Sequence, residues 1–163
     1  MELKDILSIS GQGGLFKHIS QAKNGIIVEN LQTGKRMHAF ASSKISSLED
    51  ISIYTETDEV PLADVIRGIK EKEEGGQAID HKSDNQKLKD YFEEILPDYD
   101  KDRVYVSDIK KVISWYNQLQ ELSLLDFTTA ADKETETENK EEEGEKPTED
   151  KTSPAGSDKN EEN

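Results

Sequence analysis

Residues 15–41, LFKHISQAKNGIIVENLQTGKRMHAFA, decide the fold, because they predict three antiparallel strands joined by two tight turns. Asn24-Gly25 is a two-residue hairpin signal, since both residues tolerate positive φ, and Thr33-Gly34 marks the second turn. The strands are predicted at residues 15–21, 26–31 and 36–41. Strands at this spacing favour a small barrel or sandwich, and closing a barrel removes the exposed sheet edges.

The flanking segments complete a small β domain at residues 1–56. Leu3, Ile6 and Leu7 fit one face of a short helix at residues 3–9, with an edge strand as the alternative. A fourth strand is predicted at residues 51–54, after a loop. With four or five short strands, the most economical architecture is an SH3-like small β-barrel.

Residues 57–129 predict a helical domain of three amphipathic helices, after a polar linker at residues 55–59. The first helix starts at Pro61, the second is capped by a Ser83/Gln86 pair, and the third by Ser107. Residues 75–83 read as a flexible connection. Because domains of about 60 residues are marginally stable alone, we expect the two halves to pack on each other. The predicted fold class is therefore α+β.

The charge of the 163-residue chain, −15 in total, is unevenly distributed. Residues 130–163 hold 13 Asp or Glu, 5 Lys and no aromatic residue, so burial cannot offset the entropy of ordering them. They predict a disordered acidic tail. Residues 1–56 balance to zero, and residues 57–129 carry the remaining −7.

Several function classes are disfavoured by composition. The chain has no cysteine, which excludes disulfides, thiolate metal sites and cysteine nucleophiles. No signal-peptide pattern and no long apolar run is visible, so the sequence predicts no membrane partner and, by default, a cytoplasmic location.

Motifs that carry chemistry are incomplete. Residues 10–14, SGQGG, lack the Lys-Ser/Thr and the following helix of a phosphate loop, so a structural turn is favoured. Asp98, Asp100 and Asp102 match the start of a calcium loop, but Arg103 and Ile109 stand where it needs glycine and glutamate. No histidine pair has metal-ligand spacing and no nucleophile elbow occurs. We therefore predict no catalytic residue, no cofactor and no metal site.

The most distinctive electrostatic feature is a basic segment at residues 11–48, which holds five cationic side chains against the single acid Glu29. The candidate partner-binding residues are Lys17, His18, Lys35, Arg36 and His38. Strand alternation places Lys17 and His18 on opposite faces, so all five cannot be exposed together.

A non-catalytic binding or adaptor protein with a protein partner is the first interpretation. The alternatives are a nucleic-acid-binding protein that uses this basic hairpin face, and an enzyme of unknown class. The nucleic-acid alternative needs exposed aromatic side chains, and residues 1–56 hold only Phe16, Phe40 and Tyr54. An exposed Trp115 would indicate a further protein-interaction patch. The sequence leaves the oligomeric state open.

Several segments resemble a Bacteroidetes family of unknown function. They are Ile9-Ser10-Gly11, Gly14-Leu15-Phe16, Gly25 to Glu29, Ser47 to Tyr54 and Val60-Pro61-Leu62, and in the helical half Asp102 to Tyr105 and Ser107 to Lys111. The resemblance covers residues 1–126. It implies a bacterial cytoplasmic protein with a small β domain and a companion helical region, and it implies no activity, cofactor or catalytic residue.

Overall fold

The computed structural model describes residues 1–135 and has an α+β fold. Five antiparallel strands form one sheet: β1 (Ile6–Ile9), β2 (Phe16–Ala22), β3 (Gly25–Asn30), β4 (Arg36–Phe40) and β5 (Ile45–Ser47). Their spatial order is β4-β3-β2-β1-β5. A separate hairpin of β6 (Ser52–Tyr54) and β7 (Glu59–Pro61) precedes three helices, α1 (Leu62–Lys72), α2 (Asn85–Ile95) and α3 (Val106–Glu121).

The three strands predicted in residues 15–41 are present as β2, β3 and β4. The first hairpin turn lies one residue earlier than predicted, at Lys23 and Asn24, because Ala22 pairs with Gly25. Asn24 supplies the positive φ of this turn (63°). Gly34, with φ of 68°, supplies it in the second turn, as predicted. Local turn chemistry therefore sets the β2–β3–β4 meander.

The SH3-like barrel is not confirmed, because the described strands form an open sheet whose edges, β4 and β5, do not pair. The predicted fourth strand leaves this sheet and pairs with β7. The polar linker predicted at residues 55–59 is instead the turn of that hairpin. Thr55 is only 2% exposed, and its hydroxyl donates to the Asp58 carbonyl (2.9 Å), so this threonine closes the turn.

The sheet nevertheless encloses a small apolar cluster of its own. Its buried members are Ile9, Phe16, Val28 and Ala39. Met37 on one edge strand and Ile45 on the other both pack against this cluster. The sheet therefore curls around its inner face, although its edges stay apart.

The main core joins the two predicted halves, which confirms that they pack on each other. Leu3, Ile6, Leu15 and Leu48 from the N-terminal part lie in one cluster with the buried faces of α1, α2 and α3. Residues 1–130 accordingly form one compact unit. Of the second unit, residues 131–135 are described and are helical, and the rest of the predicted acidic tail, 136–163, lies outside the described residues.

Three local predictions need correction. The predicted helix at residues 3–9 is a 3₁₀ turn at Leu3–Asp5 followed by β1, so the edge-strand alternative holds for its second half. Asp84, rather than Ser83, caps α2 by accepting the Gln86 N–H (3.0 Å). Helix α3 is capped at Tyr105, two residues before the predicted cap Ser107, with the Asp108 carboxylate accepting the Tyr105 N–H (3.0 Å). The α2 cap thus lies one residue after the predicted cap, and the α3 cap lies two residues before it.

The connection predicted as flexible, residues 75–83, is held against α3 by three hydrogen bonds. Tyr116 donates to the Gly76 carbonyl (2.8 Å). Asn117 accepts the Ala78 N–H (2.8 Å) and donates to the Ile79 carbonyl (3.1 Å). The polar composition of residues 75–83 therefore does not indicate that hydrogen bonds to α3 hold this segment in place.

Three buried tyrosines make stability sensitive to alkaline pH. Burial raises the pKa of the Tyr91 phenol, and its hydrogen bond to Glu73 (2.7 Å) raises it further. Burial also raises the pKa of Tyr99 and Tyr116. The folded state thus favours neutral phenols, so this stabilisation is complete below the unfolded pKa of about 10 and is lost as pH rises above it.

We therefore expect the urea midpoint of unfolding to fall as pH rises above about 10, and to fall less steeply for Tyr91→Phe. Urea titrations of both proteins at a series of pH values measure this. Parallel pH profiles for the two proteins would contradict the assignment to Tyr91.

Candidate functional site

The predicted basic hairpin face is partly neutralised in the structure. Lys17 lies opposite Glu29, which lies opposite Arg36, so the three form one row across β2, β3 and β4. The Glu29 carboxylate accepts a hydrogen bond from the Arg36 guanidinium (2.9 Å). His38, opposite Ile27, shares this side of the sheet, since directly paired residues share a face. We call it the outer sheet face: Lys17, Ile27, Glu29, Arg36, His38 and Phe40.

The other two candidates lie elsewhere. His18 is opposite Val28, on the inner side of the sheet, and its side chain is exposed. Lys35 lies in the turn before β4, where its carbonyl accepts the Asn30 N–H (2.9 Å). The structure therefore brings together Lys17, Arg36 and His38, and separates His18 and Lys35 from them.

The outer sheet face also carries an exposed aromatic ring. Phe40 is 58% exposed, whereas Phe16 is buried in the inner cluster. The His38 ring contacts the Phe40 ring edge-to-face, with centroids 4.4 Å apart. His38 Nε2 lies 3.1 Å from the Lys23 carbonyl, and its Nδ1 is buried with no hydrogen-bond partner among residues 1–135. The rings of His38 and Phe40 thus form a patch beside the cations Lys17 and Arg36.

His38 and Phe40 lie on the edge strand β4, and its hydrogen bonds show which of its backbone groups face away from β3. Asn30 donates to Lys35, and Ala41 donates to Asn24. Asn30–Lys35 and Asn24–Ala41 are therefore hydrogen-bonded pairs. Because hydrogen-bonded and non-hydrogen-bonded pairs alternate along an antiparallel ladder, the backbone groups of Met37 and Ala39 hydrogen-bond to β3. The backbone groups of Arg36, His38 and Phe40 therefore point away from the sheet. We call this outward row the β4 edge.

A second feature, which the sequence reasoning missed, is a cavity of 430 Å³ between the glycine-rich β1–β2 connection, β5 and α3. We call it the α3 groove. Its cationic lining residues are Lys44, Lys110 and Lys111, and no Asp or Glu lines it. Lys44 lies within the basic segment at residues 11–48, but Lys110 and Lys111 are distant in sequence, so only the fold places the three around one cavity.

The glycine-rich segment connects β1 to β2, as predicted for a structural turn. Gly11 and Gly14 have φ of 82° and 97°. A Cβ at Gly14 would lie 2.9 Å from the Asn30 amide nitrogen, so this position is crowded. Gly13 has open space around it. The turn therefore forms one wall of the α3 groove without following a phosphate-loop pattern.

The aspartate triplet is a structural turn in the described protein. The Asp100 carboxylate accepts the Arg103 guanidinium (2.7 Å) and the Asp102 N–H (2.9 Å). The hydrogen bond from Arg103 lowers the pKa of Asp100. Within residues 1–135, no group of three or more His, Asp or Glu side chains could hold a metal ion. In the same part of the chain, no helix is long and apolar enough to span a bilayer.

Comparisons with known proteins match nearly all of the compact unit. One family model, a domain of unknown function (DUF5606), matches residues 3–48, and another, a domain of unknown function (DUF6852), matches residues 51–119. A solution NMR structure of a structural-genomics target from Bacteroides vulgatus is 48% identical, with a TM-score of 0.65. That match covers 79% of this chain and 92% of the other. The search of curated proteins gave no match.

Proposed function

We propose that this chain, which belongs to a Bacteroidetes family built from two domains of unknown function, is a non-catalytic adaptor that binds an extended segment of a partner protein at the β4 edge. The family membership confirms the resemblance seen in the sequence. The binding role, the absence of catalysis and a cytoplasmic location stay predictions.

The observation that carries the proposal is the combination of a strand edge that pairs with no other strand of residues 1–135 and an exposed phenylalanine. An extended peptide adds to such an edge through backbone hydrogen bonds, and side-chain contacts at alternate positions give specificity. Arg36 and His38 would supply the backbone groups. Phe40, 58% exposed, would supply an apolar contact at the end of the strand.

The charges beside the β4 edge favour a partner segment that is acidic and carries an apolar residue. Arg36 is already paired with Glu29, but Lys17 faces the same glutamate from the other side, so the row holds one excess positive charge. Lys35 lies outside the outer sheet face, but its place in the turn that precedes β4 adds a cation near this end of the edge. An acidic peptide therefore matches this end of the edge, and an apolar side chain matches Phe40 at the other end.

The test is selection from a display library of random linear peptides, followed by affinity measurement on matched variants. His38→Ala keeps the outward N–H, whereas His38→Pro removes it. Proline is tolerated on an edge strand where the N–H faces solvent. We expect selected peptides to be acidic and to bind His38→Pro about tenfold more weakly than His38→Ala, the effect of one lost backbone hydrogen bond.

Circular dichroism and the urea midpoint show whether both variants stay folded. A selection that yields no binding peptide, or equal affinities for His38→Ala and His38→Pro, would overturn the proposal. Phe40→Ala should also weaken binding, whereas Tyr54→Ala, which removes an exposed aromatic on the separate hairpin, should not.

Nucleic-acid binding is the second candidate, because Lys17, Arg36 and the exposed Phe40 combine cations with a stacking surface. The Glu29 carboxylate in the middle of that row disfavours it. Single-stranded DNA binding that weakens steeply with salt, and is lost in a Lys17→Ala/Arg36→Ala variant, would favour this alternative over the adaptor.

We further propose that the five-stranded sheet is a partly opened SH3-like barrel. An SH3-like barrel that is partly opened fits two features: the first strand, β1, pairs with the last strand of its sheet, β5, and both edge strands contribute to one inner cluster. On this view the β4 edge is exposed because β4 and β5, the two edge strands, do not pair.

A further inference from the structure

The α3 groove has an unusual charge for this chain. Lys44, Lys110 and Lys111 line it, whereas the protein carries a net charge of −15. None of these three ammonium groups has a salt-bridge partner within the described residues 1–135. His81, which also lines the groove, lies 3.5 Å from the Asp80 carboxylate. The groove therefore brings together three ammonium groups that have no salt-bridge partner among residues 1–135.

The remaining lining supplies hydrogen-bonding groups suited to anionic oxygens. Ser8 and Ser46 pair across β1 and β5, and both line the groove together with Ser10 and Ser114. Hydroxyl groups and lysine ammonium groups are the donors that phosphate oxygens commonly accept from. No carboxylate among the lining residues would repel such an anion.

An aromatic surface completes the site. Trp115, the single tryptophan of the chain, is half-buried and lines the same cavity. An indole face stacks on flat rings such as nucleobases. The volume of 430 Å³ lies within the range of about 300–1,000 Å³ typical of small-molecule sites.

We propose that the α3 groove binds a small phosphorylated molecule that carries a flat ring, the chemistry of a nucleoside phosphate. Lys44, Lys110 and Lys111 hold the phosphate groups, and Trp115 packs against the ring. This site is separate in its residues from the outer sheet face and the β4 edge. It therefore stands or falls independently of the adaptor proposal.

The single tryptophan makes a direct test possible. ADP, pyrophosphate and adenosine are titrated separately while the intrinsic fluorescence of Trp115 is followed, with excitation above the nucleotide absorption band. We expect saturable quenching by ADP, with an affinity about tenfold or more above those of pyrophosphate and adenosine, because only ADP engages both parts of the site. Absence of saturable quenching by ADP, or equal affinity for pyrophosphate, would overturn the proposal.

Two groove variants are compared with one control. Lys44→Ala/Lys110→Ala/Lys111→Ala removes the cations and should weaken ADP binding by about tenfold or more. Gly13→Glu adds a carboxylate where a Cβ has nothing within 4 Å, so the chain can accommodate it, and should weaken binding similarly. The control, Lys87→Ala/Lys89→Ala, removes exposed charges from α2 and should bind as the parent does.

Urea titration shows that each variant is folded before ADP is added. Equal affinity in the control and in both groove variants would overturn the proposal, since binding would then not depend on this cavity. Calorimetric titration of the parent protein provides the second readout. His38→Pro should leave ADP binding unchanged, which separates this site from the β4 edge.

Discussion

Replacing Gly25 with alanine is expected to lower the free energy of unfolding by about 4 kcal/mol, an exceptional effect for a single added methyl group. A Cβ at this position would lie 2.1 Å from the Ala39 carbonyl oxygen and 3.0 Å from two further backbone atoms of β4. Backbone atoms cannot rotate away as a side chain can. The β3–β4 ladder must therefore open locally, although Gly25 does not need a positive φ.

Urea unfolding of Gly25→Ala and of Gly13→Ala measures this effect against a matched control. A Cβ at Gly13 would have nothing within 4 Å and its φ is not positive, so alanine there should change stability by less than about 0.5 kcal/mol. If the two variants were equally stable, the close approach of β3 and β4 at Gly25 would be wrong.

Truncating Tyr116 to alanine is expected to cost about 4 kcal/mol, the usual range for a buried aromatic side chain. Tyr116 is fully buried on α3, and its ring lies in the cluster shared by all three helices and the N-terminal strands. Its hydroxyl also donates to the Gly76 carbonyl (2.8 Å), so the truncation removes both core packing and the anchor of the α1–α2 connection.

The variant Tyr116→Phe separates the two contributions. It keeps the ring and leaves the Gly76 carbonyl without its donor, so we expect a loss of about 1–2 kcal/mol. Both free-energy losses are measured by urea titration, with one common slope of unfolding free energy against urea concentration for all variants. A loss below about 1 kcal/mol for Tyr116→Ala would show that α3 does not pack in the core as described.

The parts of the fold that sequence predicts well are those set by neighbouring residues. The turns at Asn24 and Gly34 depend on local φ preferences, and α1, α2 and α3 depend on apolar residues at helical spacing. Both signals are read within a few residues. They predicted the β2–β3–β4 meander and the three helices, with errors of one residue at the first turn and at the α2 cap, and of two residues at the α3 cap.

The remaining fold depends on contacts between distant residues. Residues 51–54 form a strand both in the predicted barrel and in the observed fold. The two differ in the partner of that strand, which is β7 and not a strand of the five-stranded sheet. Residues 75–83 have the composition of a flexible loop, yet Tyr116 and Asn117 anchor them from about forty positions away. Barrel closure likewise depends on whether two edge strands meet, which no local pattern states.

The candidate sites show the same division. Alternation alone predicted that Lys17 and His18 lie on opposite faces. It could not show that Glu29 neutralises Arg36, because that requires the register of β3 against β4. Strand alternation also could not predict that Lys44 lies near Lys110 and Lys111, because the β4–β5 loop and α3 meet only in the folded chain.

Amide hydrogen exchange along β4 tests the adaptor account most directly. In the free protein, the N–H groups of Met37 and Ala39 should be protected, whereas that of His38 should exchange quickly because it points away from the sheet. On addition of a selected acidic peptide, protection at His38 should rise by about tenfold or more. Peptide binding that leaves the exchange of the His38 N–H unchanged would contradict strand addition at the β4 edge.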